Sequence, residues 1–169
     1  MKITCTILAF IIVIAALPGM GGCAAPPPET SNLNLVFRYG VGAKNELNTF
    51  NGTYTRDMVM DPPITVNLSL TEEDLDRIYE KMLEINFFDY PDEFSVSTAG
   101  GSFGIMTPYS SYYFKVEYDS SIKELRWKDE ISYPDENADR LRELIQLIRE
   151  IIEAKEEYKS LPEPTGGYM

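Results

Sequence analysis

The side chains that carry most enzyme chemistry are scarce in this sequence. The chain contains no histidine, and its two cysteines are Cys5 and Cys23. Histidine is the commonest general base and a frequent metal ligand. Its absence excludes Ser-His-Asp and Cys-His nucleophile systems, and zinc sites in their usual forms. No catalytic residue, metal site or cofactor site can be assigned from the sequence, and a non-enzymatic role is favoured.

Two short motifs match known catalytic patterns without the context that those patterns need. Residues 100–104 fit Gly-x-Ser-x-Gly, which requires a preceding strand, a following helix and a histidine. Residues 120–123 fit Ser-x-x-Lys, which requires a helix to bring serine and lysine onto one side. The first lies in a predicted loop and the second in a predicted hairpin turn, so neither is interpreted as catalytic.

Carboxylates and aromatic rings are the remaining candidates for a site. Carboxylates flank the predicted helices at Asp89, Asp92, Glu93, Asp129, Glu130, Asp135 and Glu136. Neither cluster has the ligand spacing of an EF-hand, and solvated caps and loops explain them. A pair could instead serve a glycosidase or hold calcium. Among the aromatic residues, Phe103, Tyr109 and Tyr113 are predicted to be exposed and able to contact sugar or protein.

The first residues have the pattern of an export signal. Lys2 is the one charged residue before Glu29, and residues 7–17 form an uninterrupted apolar run. A charged start, a short apolar core and small residues before a cleavage site are typical of a secretory signal peptide. The run of about 11 residues is shorter than the roughly 20 that a membrane-spanning helix needs.

Met20, Gly21 and Gly22 stand directly before Cys23. This arrangement resembles the bacterial lipobox, and the resemblance covers only the signal (residues 1–22) and its junction. It implies a lipoprotein precursor that is cleaved after Gly22 and acylated on Cys23 with chains such as palmitate. Such a protein is anchored to the cell membrane or the outer membrane, with its domain extracytoplasmic. An ordinary secreted protein cleaved nearby is the alternative.

The rest of the chain divides into three predicted parts. Residues 23–32 form a Pro-rich linker, residues 33–160 a single domain and residues 161–169 a flexible tail. Three consecutive prolines favour an extended, semi-rigid linker. Because Cys5 would be removed and Cys23 acylated, the domain has no disulfide and depends on its hydrophobic core.

The charge of the chain restricts its partners. Fifteen Lys and Arg stand against 27 Asp and Glu, a net charge of −12. Nucleic-acid binding needs a basic surface, so the sequence argues against it. The expected partners are the membrane, through the lipid on Cys23, and an envelope protein or wall component.

Periodicity predicts an α+β domain. Alternating apolar residues indicate strands over residues 33–41, 53–60 and 64–70 and a hairpin over residues 112–127. Apolar residues spaced by three and four indicate one helix that begins after Thr71 and another that runs from about Pro134 to Lys159. The order β-β-β-α-β-β-α predicts an antiparallel sheet of about five strands with two helices on one face.

The hairpin register can be inferred from burial. An even-numbered loop near Asp119 pairs Phe114 with Trp127 and Val116 with Leu125, and sends Trp127 to the core. The segment from Ser95 to Ser111 is then a long loop of the kind that is often functional.

The sequence therefore predicts a lipid-anchored, non-catalytic binding or envelope-associated protein. A carboxylate-dependent hydrolase acting on envelope glycans is the alternative.

Overall fold

The computed structural model describes residues 32–98 and 101–168, which fold as an α+β domain. The predicted signal peptide, Cys23 and nearly all of the linker lie outside these residues. The strands are β1 (Asn34–Tyr39), β2 (Asn45–Asn48), β3 (Thr53–Met58), β4 (Asp61–Asn67), β5 (Glu93–Phe94), β6 (Gly104–Ile105), β7 (Ser111–Tyr118), β8 (Ser121–Lys128) and β9 (Ile131–Ser132). The helices are α1 (Glu72–Glu84), α2 (Glu136–Ala154) and α3 (Glu156–Lys159).

Seven strands form one sheet in the order β4-β3-β2-β1-β7-β8-β5. All neighbouring pairs are antiparallel except β5 and β8, which are parallel. The predicted α+β class is confirmed. The predicted antiparallel sheet of about five strands with two helices is roughly compatible with the structure, which has seven strands in the sheet, one parallel pair and a third, short helix. β2 was not predicted because Leu47 is its one buried residue, so the strand shows no alternation. β5 was not predicted because it has only two residues.

The core lies between one face of the sheet and the helices. Phe37, Phe114 and Leu125 are fully buried, and they belong to one cluster with the apolar stripes of α1 and α2. Phe37 and Phe114 stand opposite each other on β1 and β7, with ring centroids 4.8 Å apart. This alternation leaves the other face of the sheet polar and accessible to solvent.

The β7–β8 hairpin has the predicted even-numbered loop in a different register. Its turn residues, Asp119 and Ser120, both have positive φ (46° and 64°), which suits a two-residue hairpin turn. Phe114 pairs with Leu125 and Tyr112 pairs with Trp127, so the predicted partners are wrong by two positions. A shift of two keeps every side chain on its predicted face, and Trp127 is 2% exposed.

Side-chain contacts mark where α1 begins and where α2 ends. Thr71 caps α1, and its hydroxyl accepts a hydrogen bond from the backbone N–H of Asp74. The Asp74 carboxylate accepts from the N–H of Thr71 and from Lys155, at 2.8 and 2.5 Å. Lys155 has extended backbone geometry and ends α2. The second helix therefore stops before the predicted end near Lys159, with α3 as a separate turn.

The segment after α3, which the sequence predicts to be a flexible tail, lies against β3. Arg56 is 6% exposed and donates from Nη1 to the carbonyl oxygens of Leu161 and Pro162. Its guanidinium lies 4.2 Å from the ring centroid of Tyr158. The backbone N–H of Thr165 donates to the carbonyl of Met58. These contacts attach the C-terminal residues to the domain.

Candidate binding groove

A groove of about 660 Å³ lies at one end of the sheet, where β7 begins and β8 ends. We call it the sheet-end groove. Its lining residues are Arg38, Gly42, Ala43, Glu93, Phe94, Ser95, Val96, Ser111, Tyr112, Tyr113, Arg126, Trp127, Lys128, Glu130 and Ile131. The volume is in the range of ligand-binding clefts, and aromatic and charged side chains line the groove together, so we take it as the candidate binding site.

Aromatic rings form one wall of the sheet-end groove. Phe94 and Tyr112 both lie 5.4 Å from Trp127, measured between ring centroids. The Arg142 guanidinium lies over the Trp127 ring at 5.2 Å. Trp127 Nε1 is buried and has no hydrogen-bond acceptor among the described residues. The wall is therefore a packed, pre-formed surface.

Arg142 is fixed on α2 by a carboxylate at the end of the sheet. Its Nε and Nη2 donate to the two carboxylate oxygens of Asp129, at 3.0 and 2.6 Å. Hydrogen bonding to Asp129 is the largest influence on Arg142 and raises its pKa. Asp129 was predicted only as part of a solvated cluster, but its side chain is 13% exposed. It joins α2 to the wall of the groove.

At the rim, Tyr113 lies between two arginines. Arg38 on β1 and Arg126 on β8 stand opposite Tyr113 on β7. Their guanidinium carbons lie 5.5 and 5.1 Å from its ring centroid. Burial, followed by the nearby Glu124, raises the pKa of Tyr113, so its hydroxyl stays neutral. Because cations flank the ring from both neighbouring strands, it offers little free face for stacking on a sugar.

This triplet belongs to a row that crosses the entire sheet. The residues in register are Thr65, Thr55, Glu46, Arg38, Tyr113, Arg126 and Glu93, one from each strand. The two threonine hydroxyls are hydrogen-bonded at 2.8 Å, Arg38 donates to Glu46 at 2.6 Å, and Arg126 donates to Glu93 at 3.3 Å. We call these seven residues the cross-sheet row. It fixes the orientation of the side chains at the rim.

The groove is less acidic than the rest of the protein. Arg38, Arg126 and Lys128 line it together with only two carboxylates, those of Glu93 and Glu130. The whole chain has almost twice as many acidic as basic residues. Arg38 is paired with Glu46, and Arg126 with Glu93 and Glu124, so the groove is close to neutral on an otherwise negative molecule. It therefore repels a ligand with a negative group less than the rest of the surface does.

Part of the predicted long loop belongs to a two-stranded antiparallel sheet beside the groove. β6 pairs with β9, which places Ile105 opposite Ile131, a residue that lines the groove. Phe103 is 49% exposed and Ile105 is 69% exposed. The prediction of an exposed Phe103 is confirmed, whereas Tyr109 and Tyr113 are only partly exposed.

The remaining predicted site residues do not come together. Glu93 and Glu130 line the groove, whereas Asp89, Asp92, Asp135 and Glu136 do not line it. No group of three or more potential metal ligands occurs within residues 32–98 and 101–168. Ser102 lies in a loop rather than at the start of a helix, and Ser120 lies in the hairpin turn. No helix in the described part has the length and apolar character needed to cross a membrane.

The sequence did not identify the arginines of the rim as site residues. Arg38 and Arg126 are 88 positions apart, and only the pairing of β1 with β7 and β7 with β8 brings them to one tyrosine. The one available signal was their alternation with buried residues, which places them on the solvent face. Comparison of the chain with protein-family models and with curated proteins finds no match. The function must therefore be argued from the geometry.

Proposed function

We propose that this protein is a lipid-anchored, extracytoplasmic binding protein that holds an envelope component in the sheet-end groove. The observation that carries the proposal is the position of the groove relative to the start of the described chain. Asn32 lines a small cleft with Asp119 and Ser120, at the turn of the β7–β8 hairpin. The groove lies at the opposite end of the same hairpin.

The separation of the two ends follows from strand geometry. Tyr118, beside the turn, lies six positions after Tyr112, in the groove. At about 3.3 Å per residue, these positions are roughly 20 Å apart. A chain tethered through Cys23, before Asn32, would hold the turn towards the membrane and the groove away from it. This orientation presents the groove to components of the envelope.

The chemistry of the groove supports binding rather than catalysis. Its two carboxylates belong to Glu93, which is paired with Arg126, and Glu130. The hydrolase alternative would have to use these two groups, and no further observation favours it. The cations of the rim and the apolar residues of the β6–β9 pair instead suit an extended envelope protein or wall component that offers hydrogen-bond acceptors to Arg126 and Lys128.

The anchor is tested first. Mass spectrometry of the chain from bacterial membranes should show an acylated N-terminal Cys23, and the Cys23→Ala variant should leave the membrane fraction. An unmodified chain that begins at Met1 would refute the anchoring.

The groove is tested by photo-crosslinking in cells with a photoreactive residue at Lys128, which is exposed at the rim. We expect a reproducible adduct that weakens at least about threefold when Arg126→Glu reverses the charge of the rim. Arg140→Glu is the matched control, because it makes the same change in charge on α2, where Arg140 pairs only with Glu136 in the described structure. No adduct, or equal loss in both variants, would refute the use of the groove.

A further inference from the structure

A second, apolar groove lies at the end of the domain opposite the sheet-end groove. It has a volume of about 470 Å³ and is lined by Tyr79, Leu83, Phe88, Tyr118, Ile122 and neighbouring turn residues. Leu83, Phe88 and Ile122 are 44%, 36% and 60% exposed. We call these three side chains and the two tyrosines the apolar end patch.

The apolar end patch is rigid beneath its exposed side chains. The rings of Tyr79 and Tyr118 are stacked, with centroids 4.4 Å apart. Phe88 meets Tyr79 edge-on at 6.3 Å. Burial, and then the neighbouring Tyr118, raises the pKa of Tyr79 to about 12, so the ring carries no charge at neutral pH. The patch therefore presents neutral aromatic and aliphatic groups on a fixed base.

The patch adjoins the point where the described chain begins. Asp119 lines both the apolar groove and the small cleft that contains Asn32. Nine peptide units join Cys23 to Asn32, and even a fully extended chain of this length spans only about 30 Å. A lipid on Cys23 would hold this end of the domain within that distance of the bilayer.

We propose that the apolar end patch rests in the interface of the bilayer that holds the lipid anchor, with Leu83, Phe88 and Ile122 at the boundary between headgroups and acyl chains. This inference depends on the anchoring proposed above. Aromatic rings and aliphatic side chains together are the composition that favours the membrane interface. The anchor supplies the proximity, so the patch needs only a small contact area of its own.

The surrounding charges select the type of lipid. Lys123 donates to the Tyr90 carbonyl and to Asp92, at 2.6 and 2.7 Å, so its charge is already compensated. Asp119 lies at the turn beside the patch, and the chain as a whole carries a net charge of −12. This negative charge would be repelled by anionic lipid, so the patch suits electrically neutral headgroups.

The test uses the acylated full chain in phosphatidylcholine vesicles that contain doxyl-labelled acyl chains. An environment-sensitive dye is attached to Ile122→Cys or, as the matched control, to Phe103→Cys, which is similarly exposed at the groove end. We expect doxyl quenching at position 122 to exceed that at position 103 by at least about twofold. Replacing part of the lipid with phosphatidylglycerol should reduce the difference.

The outcomes separate this inference from the proposed anchor. If Cys23 is acylated but positions 122 and 103 are quenched equally, or position 103 more, the inference is wrong and the anchor stands. A dye signal at position 122 that depends on the density of protein on the vesicles, and not on doxyl lipid, would indicate that a second copy covers the patch. This result would also overturn the inference. An unacylated Cys23 would overturn both. Circular dichroism of each variant confirms that the fold is retained.

Discussion

The ion pair between Asp74 and Lys155 allows a quantitative prediction about stability. Asp74 lies in the first turn of α1, and Lys155 ends α2. Their side chains are 14% and 20% exposed, with 2.5 Å between Oδ2 and Nζ. The pair therefore joins the two long helices in a place where water screens it only partly.

Replacing Asp74 by Asn keeps the shape of the side chain and its hydrogen bond from Thr71 but removes the charge. A partly shielded ion pair contributes about 1–2 kcal/mol, between the surface and buried limits. Loss of a negative charge from the start of a helix costs about 0.3–1 kcal/mol more. We expect Asp74→Asn to lower the free energy of unfolding by about 2 kcal/mol, and the melting temperature of a domain of this size by about 7 °C.

The pH dependence provides an independent test. Burial alone would raise the pKa of Asp74, but the hydrogen bond from Lys155 and those from Thr71 outweigh it, so the pKa is lowered. A carboxyl with a lowered pKa in the folded state stabilises the fold above its unfolded pKa of about 3.9. The difference between the native chain and Asp74→Asn should thus be constant from pH 7 to pH 5. It should shrink as the pH falls towards the folded pKa.

Urea denaturation followed by circular dichroism measures both effects. Glu73→Gln is the control, because Glu73 is an exposed acid in the same turn, and it should cost less than about 0.5 kcal/mol. A double-mutant cycle with Lys155→Gln should give a coupling energy of at least about 1 kcal/mol. Equal losses for Asp74→Asn and Glu73→Gln, or a coupling near zero, would refute the reasoning.

Three further variants test other features of the fold. Gly40→Ala should destabilise the domain by about 1–3 kcal/mol in urea denaturation, because φ is +90° and a Cβ would lie 2.8 Å from Asn45 Nδ2. Trp127→Phe should lower the free energy of unfolding by less than about 1.5 kcal/mol, because the indole N–H that it removes has no acceptor in the described part. Trp127→Ala should lower it by roughly 3–5 kcal/mol. Arg56→Met should speed hydrogen exchange and proteolysis at residues 161–168, since it removes both bonds from Arg56 Nη1.

Each of these variants has its own control. Gly167→Ala should be neutral, because a Cβ there meets nothing within 4 Å. If Trp127→Phe were as unstable as Trp127→Ala, the indole N–H would contribute to the stability of the domain, and the prediction would be wrong. Unchanged exchange in Arg56→Met, with a folded core, would mean that other contacts hold the C-terminal residues.

The sequence predicted the parts of the fold that have local signals. The Thr71 cap and the apolar stripe placed α1 correctly, and alternation placed β1 and the β7–β8 hairpin. β2 has a single buried residue, Leu47, so its pairing with β1 and β3 supplies what its own pattern lacks. The parallel partner of β8 is two residues long, too short for any periodicity to reveal.

The candidate site was harder to predict because its parts are distant in sequence. Alternation placed Trp127 in the core, but its two aromatic neighbours were not predicted. The expected register paired Trp127 with Phe114 instead of Tyr112, and Phe94 lies on the two-residue strand β5. The arginines that flank Tyr113 come from β1 and β8, and nothing local marks them as members of one row. The order of strands in the sheet, rather than any motif, creates the rim of the groove.

The two edges of the sheet bear on how such a protein behaves when many copies share one surface. β4 is an edge strand that contains Pro62 and Pro63, which have no N–H to offer an incoming strand. At the other edge, β5 covers β8 at Arg126 and Trp127, and Lys123 is bonded across to Asp92. In a chain anchored as we propose, these features would hinder a neighbouring copy from adding a strand at Pro62 and Pro63 on one edge, or at Arg126 and Trp127 on the other.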